Sequence, residues 1–455
     1  MILYFKQKFA QIFDRDILLG KRLAKNSFIG IFGSLCDSGM GVLRTAILAK
    51  SIPLVDFGKI YIILNFFSML MTFFSVRVND VLFRFLPQMQ TDENTEASNA
   101  LVSLCFTISL WLGLILFVSI FCLSSWISNN FYHDANLVVA FKVYAFVLLF
   151  NSFDGFSTAI LRLHDRFSLL VYPSIVGSFI SLALISAYLL YQKTDYRIEY
   201  IIFAFTVGAI VRSFLPFLFS VRLQGVRHPV VYNKRQLAAL KPVKALIRSN
   251  LFHTNLVGYL KIASDTGGMF LLGIVADPTQ VAFFNIAKQL TQPLKLLKDH
   301  IQNAFTPEIM KMWAKEQFRS LYTIIKKFEK FAFLVGGVFI FLLILLMKPI
   351  LLLISTSEYF GAIDTIIVLS IALYLNFTFT LFYPLTVAMD RMPKRNIVVS
   401  LRVVYLAIGL VIGLSAFSLG LVHLAGVLTV RLFSDIPLFR YFKKTFIKKS
   451  DEVSE

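Results

Sequence analysis

The sequence predicts an all-α, polytopic membrane protein with about twelve transmembrane helices in two pseudo-symmetric six-helix lobes around a central cavity. Three observations predict this fold class. Of the 455 residues, 57% are hydrophobic and only 16% are charged, whereas a soluble domain carries about 25% charged residues. Twelve apolar runs are long enough to cross a bilayer, which takes about 20 residues. Finally, the two halves of the chain repeat the same landmarks in the same order.

Each half of the chain contains six of the predicted spans. They run over about 26–49, 56–76, 98–127, 136–160, 167–191, 197–221, 247–275, 280–303, 329–355, 359–388, 396–418 and 420–440. The predicted domains are an amphipathic cytoplasmic-surface helix at 1–24, a six-helix lobe at 25–222, a cytoplasmic connector at 223–246, a second six-helix lobe at 247–441 and a cytoplasmic tail at 442–455. Apolar residues at helical spacing among basic residues indicate the surface helix. Residues 77–84 are predicted to be a loop.

The lysines and arginines between the spans lie mainly on one predicted side of the membrane. The N-terminal segment, every second loop and the tail carry 31 of the 45 basic residues, and the opposite loops carry Lys50, Lys59, Lys193 and Arg197. Because basic loops stay in the cytoplasm, both termini are predicted to be cytoplasmic. The net charge of +19 is thereby explained as membrane topology, and no nucleic-acid partner is expected.

Landmarks of the first half recur in the second at an offset of about 220 to 226 residues. The pairs are K-N-S-F at 25–28 with R-S-N-L at 248–251, F-L-P at 85–87 with F-T-P at 305–307, and basic turns at 162–166 and 390–395. Self-similarity at a fixed period indicates duplication. An even number of spans per half gives both halves the same orientation, an arrangement in which transporters bind cargo between the repeats.

These landmarks, with D-F-G-K-I-Y at 56–61 and R-M-P-K at 391–394, resemble the polysaccharide-type lipid flippases that translocate O-antigen repeat units. That family belongs to the multidrug/oligosaccharidyl-lipid/polysaccharide (MOP) exporter superfamily, and the resemblance covers nearly the whole chain in layout. The lipid II flippase branch is similar too, but it usually has fourteen spans.

The resemblance implies a transporter rather than an enzyme. It implies alternating access without ATP, and the sequence has no GxxxxGK[ST] phosphate loop. The implied cargo is an undecaprenyl-pyrophosphate-linked oligosaccharide, moved from the cytoplasmic to the outer leaflet of the bacterial cytoplasmic (inner) membrane. Besides membrane lipids, a polysaccharide polymerase and a chain-length regulator are the implied partners. No cofactor is expected, apart from H⁺ or Na⁺ as a coupling ion.

Ten basic side chains fall inside predicted spans, where a charge at the bilayer centre costs about 2.5–3.5 kcal/mol. They are Arg44, Lys142, Arg212, Lys261, Lys288, Lys295, Lys298, Lys348, Arg402 and Arg431. A pyrophosphate headgroup carries about two negative charges and needs cationic partners when it leaves water. The resemblance implies that spans one, two, seven and eight line the cavity. The predicted substrate-binding residues are therefore Arg44, Lys261, Lys288 and Lys295.

Carboxylates inside the spans are the candidates for ion coupling, since a proton or sodium gradient needs a group that binds the ion. The candidates are Asp37, Asp154, Asp265 and Asp364. For each of them, a helix-packing or counter-ion role is the alternative. None of the six histidines and three cysteines has metal-ligand spacing, so no metal site is expected.

Several basic candidates also have a structural interpretation. Lys261 and Asp265 are four residues apart, and opposite charges at that spacing meet on a helix. Arg44 either contacts the cargo or extends to the outer interface. Arg431 has Asp435 four residues further on as a partner.

Three other functions compete with the flippase. A cation-coupled drug exporter of the same superfamily needs an acidic cavity, but ten bases face six clear acids in the spans, which favours an anionic cargo. A membrane polysaccharide polymerase or ligase typically carries a large outer loop, whereas the loop at about 127–135 is short. A major facilitator transporter would carry a glycine-and-basic signature, which residues 77–84 lack.

Overall fold

The computed structural model describes residues 17–74, 78–91, 95–164, 166–192, 196–224, 267–389 and 391–447, and this part of the chain contains helices and no strand. In the first half the helices are α1 (Ile17–Ser51), α2 (Leu54–Phe73), α3 (Val78–Thr91), α4 (Thr95–Asn130), α5 (Leu137–Asn151), α6 (Asp154–Leu163), α7 (Ser168–Tyr191) and α8 (Ile198–Gln224). In the second half they are α9 (Gly267–Val275), α10 (Pro278–Ala314), α11 (Phe318–Leu345), α12 (Met347–Ile354), α13 (Ile363–Thr378), α14 (Phe382–Ala388), α15 (Met392–Ile412), α16 (Ala416–Val430) and α17 (Ile436–Phe442). A 3₁₀-helix at Ser357–Ala362 and π-helices at Arg431–Asp435 and Lys443–Ile447 complete the order.

The predicted all-α membrane fold is confirmed. In the described residues, nine helical segments are long and apolar enough to cross a membrane: Leu54–Phe73, Thr95–Asn130, Leu137–Leu163, Ser168–Tyr191, Ile198–Leu223, Phe318–Leu345, Ser357–Thr378, Met392–Ile412 and Ala416–Phe446. Predicted spans one and eight correspond to α1 and α10, whose 35 and 37 residues extend about 50 Å at 1.5 Å per residue. These two helices carry several charged residues among their apolar ones. Of predicted span seven, the segment α9 lies within the described residues.

Predicted spans four and ten are interrupted at corresponding places in the repeat. The first is broken between α5 and α6, and the second between α13 and α14. At the first break, the Ser152 hydroxyl donates to the Leu149 carbonyl at 3.0 Å. Both spans then end at the basic turns that the sequence pairs across the halves. The two halves therefore share the positions of these helix breaks as well as the paired sequence motifs.

The prediction of a loop at 77–84 is wrong, because residues from Val78 onward form the helix α3. Its apolar residues recur at helical spacing and are buried against α4 and α6: Val78, Val81, Leu82, Phe85, Leu86 and Met89. Such a stripe is typical of an amphipathic helix that buries one face. The F-L-P landmark at 85–87 therefore lies on this separate helix rather than at the end of span two.

Helix α1 begins at or before Ile17 and continues without a break into the first predicted span. Residues 17–24 of the predicted surface helix therefore belong to α1, and residues 1–16 lie outside the described residues. The predicted connector at 223–246 lies outside them too, except for its first two residues, which end α8.

The chain forms two compact units. The first contains the described residues of 1–44 and 66–259, and the second those of 45–65 and 260–455. The hairpin of residues 45–65, where α1 ends and α2 begins, thus packs with the second half of the chain. The two predicted lobes, with their boundaries at 25–222 and 247–441, stay a prediction.

Within the second unit, a glycine allows this hairpin to approach the start of α10. A Cβ atom added at Gly58 would lie 1.9 Å from the Pro278 carbonyl oxygen, so a side chain there would collide with backbone. The Phe57 ring lies edge-on to the buried Tyr359 ring, with centroids 5.6 Å apart. The Thr45 and Tyr61 hydroxyls are hydrogen-bonded at 2.8 Å.

Candidate functional site: a polar ladder in the first unit

Helices α7 and α8 approach closely because glycines face each other across their contact. A Cβ atom added at Gly177 would lie 2.4 Å from the Gly208 carbonyl oxygen. Small residues at a helix interface let the backbones approach, and they leave room for polar side chains to bond across it. The serines of α7 nearest this contact are Ser178 and Ser181, which are buried. Their hydroxyl groups are hydrogen-bonded to charged side chains of α1 and α8.

An ion pair joins α1 to α8 at the level of Ser178. The Arg212 Nη2 atom lies 2.7 Å from the Asp37 Oδ1 atom and donates to the Ser178 Oγ atom at 2.6 Å. Ser178 donates in turn to Asp37. The Arg212 and Asp37 side chains are 43% and 30% exposed. An accessible ion pair within spans of this kind is compatible with a wet cavity and costly in lipid.

Arg44 lies on α1 two turns beyond Asp37, toward the end of the helix. Its Nη1 atom donates to the Ser181 Oγ atom at 3.1 Å, and its guanidinium lies 4.6 Å from the centroid of the Phe205 ring. The contact with the ring face stabilises the cation. Tyr144 on α5 is close enough to Arg44 and Arg212 to interact electrostatically with both guanidinium groups.

Asp154 is the first residue of α6, directly after the break in span four. Its carboxylate lies near Ser213 and Arg212 of α8. The Ser213 Oγ atom also lies 3.3 Å from the Oδ1 atom of Asn151, the last residue of α5. We call the set of Asp37, Arg44, Asp154, Ser178, Ser181, Arg212 and Ser213 the polar ladder.

Three predicted site residues lie in the second unit and are exposed. Lys288 and Lys295 are seven residues apart on α10, and Asp364 lies in the first turn of α13. The Lys288 Nζ atom lies 3.3 Å from the Met269 Sδ atom. Seven residues are about two helical turns, so both lysines share one face of α10. Lys261 and Asp265 lie outside the described residues.

A second polar cluster is buried in the second unit, at the break between α13 and α14. Arg431 and Arg395 both pair with Asp435, which is fully buried. Arg431 also donates to the Asn376 Oδ1 atom at 2.9 Å and to the Phe379 carbonyl oxygen at 3.4 Å. The predicted pairing of Arg431 with Asp435 is confirmed. The Phe379 carbonyl oxygen also accepts from the Phe382 N–H group at 3.1 Å, so the guanidinium is a second donor to this oxygen at the break.

Local sequence patterns did not indicate how the polar ladder is assembled. Arg212 was visible as a charge in an apolar span, but its partner Asp37 is 175 residues away. Ser178, Ser181 and Ser213 carried no signal beyond their positions in apolar helices. The paired glycines of α7 and α8 are the feature that could have indicated a close helix contact.

Comparison with known proteins places the chain in a family and a fold. A family model described as polysaccharide biosynthesis protein matches residues 23–313. The fold resembles the inward-facing conformation of a multidrug resistance MATE family transporter of the MOP superfamily, with a TM-score of 0.70 and 14% identity over 90% of this chain and 96% of that chain. The lipid II flippase MurJ in an inward closed conformation matches with a TM-score of 0.69 and 15% identity over 91% of this chain and 90% of that one.

A MOP superfamily transporter from Pyrococcus furiosus, described as having a binding pocket of reversed polarity, matches with a TM-score of 0.62 and 16% identity over 93% of this chain and 97% of that chain. A comparison with curated proteins finds no match. The resemblance to the polysaccharide branch of the MOP superfamily is thus confirmed. The chain belongs to the family of polysaccharide biosynthesis proteins and has the multi-pass helical fold of the MOP-superfamily transporters.

Proposed function

We propose that this protein is a flippase that moves undecaprenyl-pyrophosphate-linked oligosaccharide repeat units, of O-antigen or a related polysaccharide, from the cytoplasmic to the outer leaflet by alternating access. The family assigns the chain to polysaccharide biosynthesis, and a solved lipid II flippase has a similar fold. Together they support the coarser class of a MOP-type flippase or transporter. The proposed location is the bacterial inner membrane, with both termini in the cytoplasm.

The observation that carries the proposal is the pair of guanidinium groups on the polar ladder. Arg44 and Arg212 lie in apolar helices, and both donate hydrogen bonds to serine hydroxyls. The Arg212 side chain is exposed, and Arg44 is partly buried. Guanidinium groups form strong, often bidentate hydrogen bonds with phosphate oxygens. Serine hydroxyls and the nearby Tyr144 would form hydrogen bonds with the first sugar, while the polyprenyl tail stays in lipid.

In this proposal Arg44 contacts the pyrophosphate, and the basic residues of the second half contribute further contacts. Those residues are Lys261, Lys288 and Lys295. The transport cycle is coupled to H⁺ or Na⁺ through one of the carboxylates Asp37, Asp154, Asp265 and Asp364. A polysaccharide polymerase and a chain-length regulator would then receive the exported repeat units.

The second candidate function is a cation-coupled multidrug exporter, favoured by the similar fold of multidrug resistance MATE transporters. The two functions require cargo of opposite charge. Arg212 is paired with Asp37, but a cationic drug beside Arg44 would be repelled, because like charges placed together repel each other. The basic residues therefore favour the flippase.

The experiment that tests the proposal uses the full chain in proteoliposomes. A fluorescent polyprenyl-pyrophosphate oligosaccharide is placed in one leaflet, and its appearance in the other is followed by quenching with a membrane-impermeant reagent. We expect translocation above that of empty liposomes and no extrusion of a cationic dye under the same gradients. Dye extrusion without lipid translocation would favour the drug exporter and contradict the flippase.

A further inference from the structure

We propose that the ion pair between Asp37 and Arg212 is exchangeable: a phosphate group of the cargo takes the place of the Asp37 carboxylate on the Arg212 guanidinium. Asp37 is then an internal competitor that occupies the anion site while no cargo is bound. This role of Asp37 rests on the proposed function and deepens it, because it states how an arginine of the polar ladder binds and releases an anion.

The Arg212 guanidinium is held through one of its nitrogen atoms. Its Nη2 atom lies 2.7 Å from the Asp37 Oδ1 atom and donates to the Ser178 Oγ atom at 2.6 Å. Within the described part of the chain, the hydrogen bonds of Arg212 use this nitrogen and leave Nη1 and Nε without a protein acceptor. A guanidinium carries five N–H donors in a planar fork, so Arg212 can bind a further acceptor.

Both side chains of the pair are accessible, with 43% of Arg212 and 30% of Asp37 exposed. Ion pairs in contact with water contribute little to stability, because water solvates each charge on its own. A phosphate group carries several oxygen atoms and can accept two parallel N–H bonds from one guanidinium. Because Asp37 accepts from a single nitrogen, a phosphate group that reaches Arg212 forms the stronger contact and displaces the carboxylate.

Asp37 keeps a partner when it loses Arg212. The Ser178 hydroxyl donates to Asp37, and the exposure of the carboxylate lets water reach it. An unpaired carboxylate without such partners would be costly in an apolar span. Since Asp37 stays beside Arg212, it competes for the guanidinium again and favours release of the anion. A transported solute must bind strongly enough to enter a site and weakly enough to leave it.

The buried ion cluster of the second unit differs from this pair in its accessibility. Asp435 is fully buried, and its two carboxylate oxygens pair with Arg395 and Arg431. Arg431 is buried too and also donates to Asn376. The cluster is closed to an anion from outside, whereas the pair of Asp37 and Arg212 is open to one.

Binding of geranyl pyrophosphate, a soluble polyprenyl pyrophosphate without a sugar, to the full chain in detergent tests the exchange by calorimetry. We expect Asp37→Asn to bind the probe about two- to five-fold more tightly than the wild type, the range that loss of a partly exposed ion pair allows. Arg212→Ala should bind it more weakly, and adding Asp37→Asn to Arg212→Ala should bring no gain.

Glu199→Gln is the matched control for Asp37→Asn. Glu199 is an acidic residue of the same unit and lies on α8 thirteen residues before Arg212, which is about 20 Å along the helix. Its removal lowers the negative charge of the unit by the same amount without touching the ion pair. We expect it to bind the probe with wild-type affinity.

Infrared difference spectra recorded on adding the same probe follow the carboxylate itself. We expect the wild type to show a change in the carboxylate stretching bands, because Asp37 exchanges the guanidinium for water. The change should be absent in Asp37→Asn and retained in Glu199→Gln. This measurement needs no variant of Arg212, so it decides the proposal even where Arg212→Ala does not fold.

Several outcomes would overturn the exchange. Unchanged or weaker binding by Asp37→Asn would make Asp37 a fixed positioning group for Arg212. An equal gain from Asp37→Asn with and without Arg212 would indicate general repulsion of the probe, and a wild type that binds no probe would exclude the anion site. Since nothing crosses a membrane in these experiments, a failure of lipid translocation by the proposed flippase would leave their results unaffected.

Discussion

Replacing Arg44 with alanine is expected to lower the apparent affinity for a polyprenyl-pyrophosphate oligosaccharide by about 10- to 100-fold. A hydrogen bond to a charged group contributes about 1.5–3 kcal/mol, and each 1.4 kcal/mol is a factor of about ten. The Ser181 hydroxyl and the Phe205 ring hold the guanidinium in position. The variant therefore removes a hydrogen-bond donor that is already oriented before the cargo binds. Translocation rates in proteoliposomes at varied cargo density measure the change.

Two variants sharpen the Arg44 experiment. Arg44→Lys keeps the charge but loses the planar fork of donors, so we expect an intermediate affinity. Lys142→Ala is the matched control, because Lys142 is a basic residue of the same unit that contacts an aromatic ring, Phe121, 5.5 Å away. A folded Arg44→Ala protein that translocates the cargo with wild-type affinity would contradict the assigned contact and leave the flippase function open.

Replacing Asp435 with asparagine is expected to lower the free energy of unfolding by about 3–5 kcal/mol, the usual effect of breaking a buried ion pair from one side. Asp435 is fully buried and pairs with both Arg431 and Arg395. The variant leaves two guanidinium groups in the protein interior without a carboxylate. Thermal unfolding in detergent and the yield of folded protein measure the loss.

The control for Asp435 is an exposed carboxylate of the same unit. Glu358→Gln should change the free energy of unfolding by less than about 0.5 kcal/mol, as surface substitutions usually do. Adding Arg431→Met to Asp435→Asn should recover part of the loss, because one unpaired buried charge disappears. An Asp435→Asn protein as stable as the Glu358→Gln control would contradict a structural role for the cluster.

Features that depend on local spacing could be predicted from the sequence. Runs of apolar residues located most spans, and the four-residue spacing predicted the pairing of Arg431 with Asp435. The spacing of Val81, Leu82 and Phe85 also indicates α3, although this apolar stripe is too short to cross a membrane and the search for spans therefore predicts a loop there. The apolar spacing is typical of a helix, but the length needed to cross a bilayer excludes α3 from the predicted spans.

Features that depend on packing between distant segments could not be predicted. Asp37 meets Arg212 because α1, α7 and α8 pack together, and no local pattern encodes a contact across 175 residues. The same holds for Ser213 on α8, whose Oγ atom lies 3.3 Å from the Oδ1 atom of Asn151, the last residue of α5. No proline or glycine directly precedes the break in span four. The position of this break therefore could not be predicted from the sequence.

Because basic residues of the spans are proposed to bind the cargo headgroup, the charge of that headgroup is the property to vary. The most direct measurement compares wild-type translocation of one oligosaccharide carried on three lipids, with a pyrophosphate, a monophosphate and an uncharged linkage. The account predicts the fastest translocation for the pyrophosphate, slower translocation for the monophosphate, and none above empty liposomes for the neutral lipid. Equal translocation of all three would contradict recognition of the anionic headgroup by the basic residues of the spans.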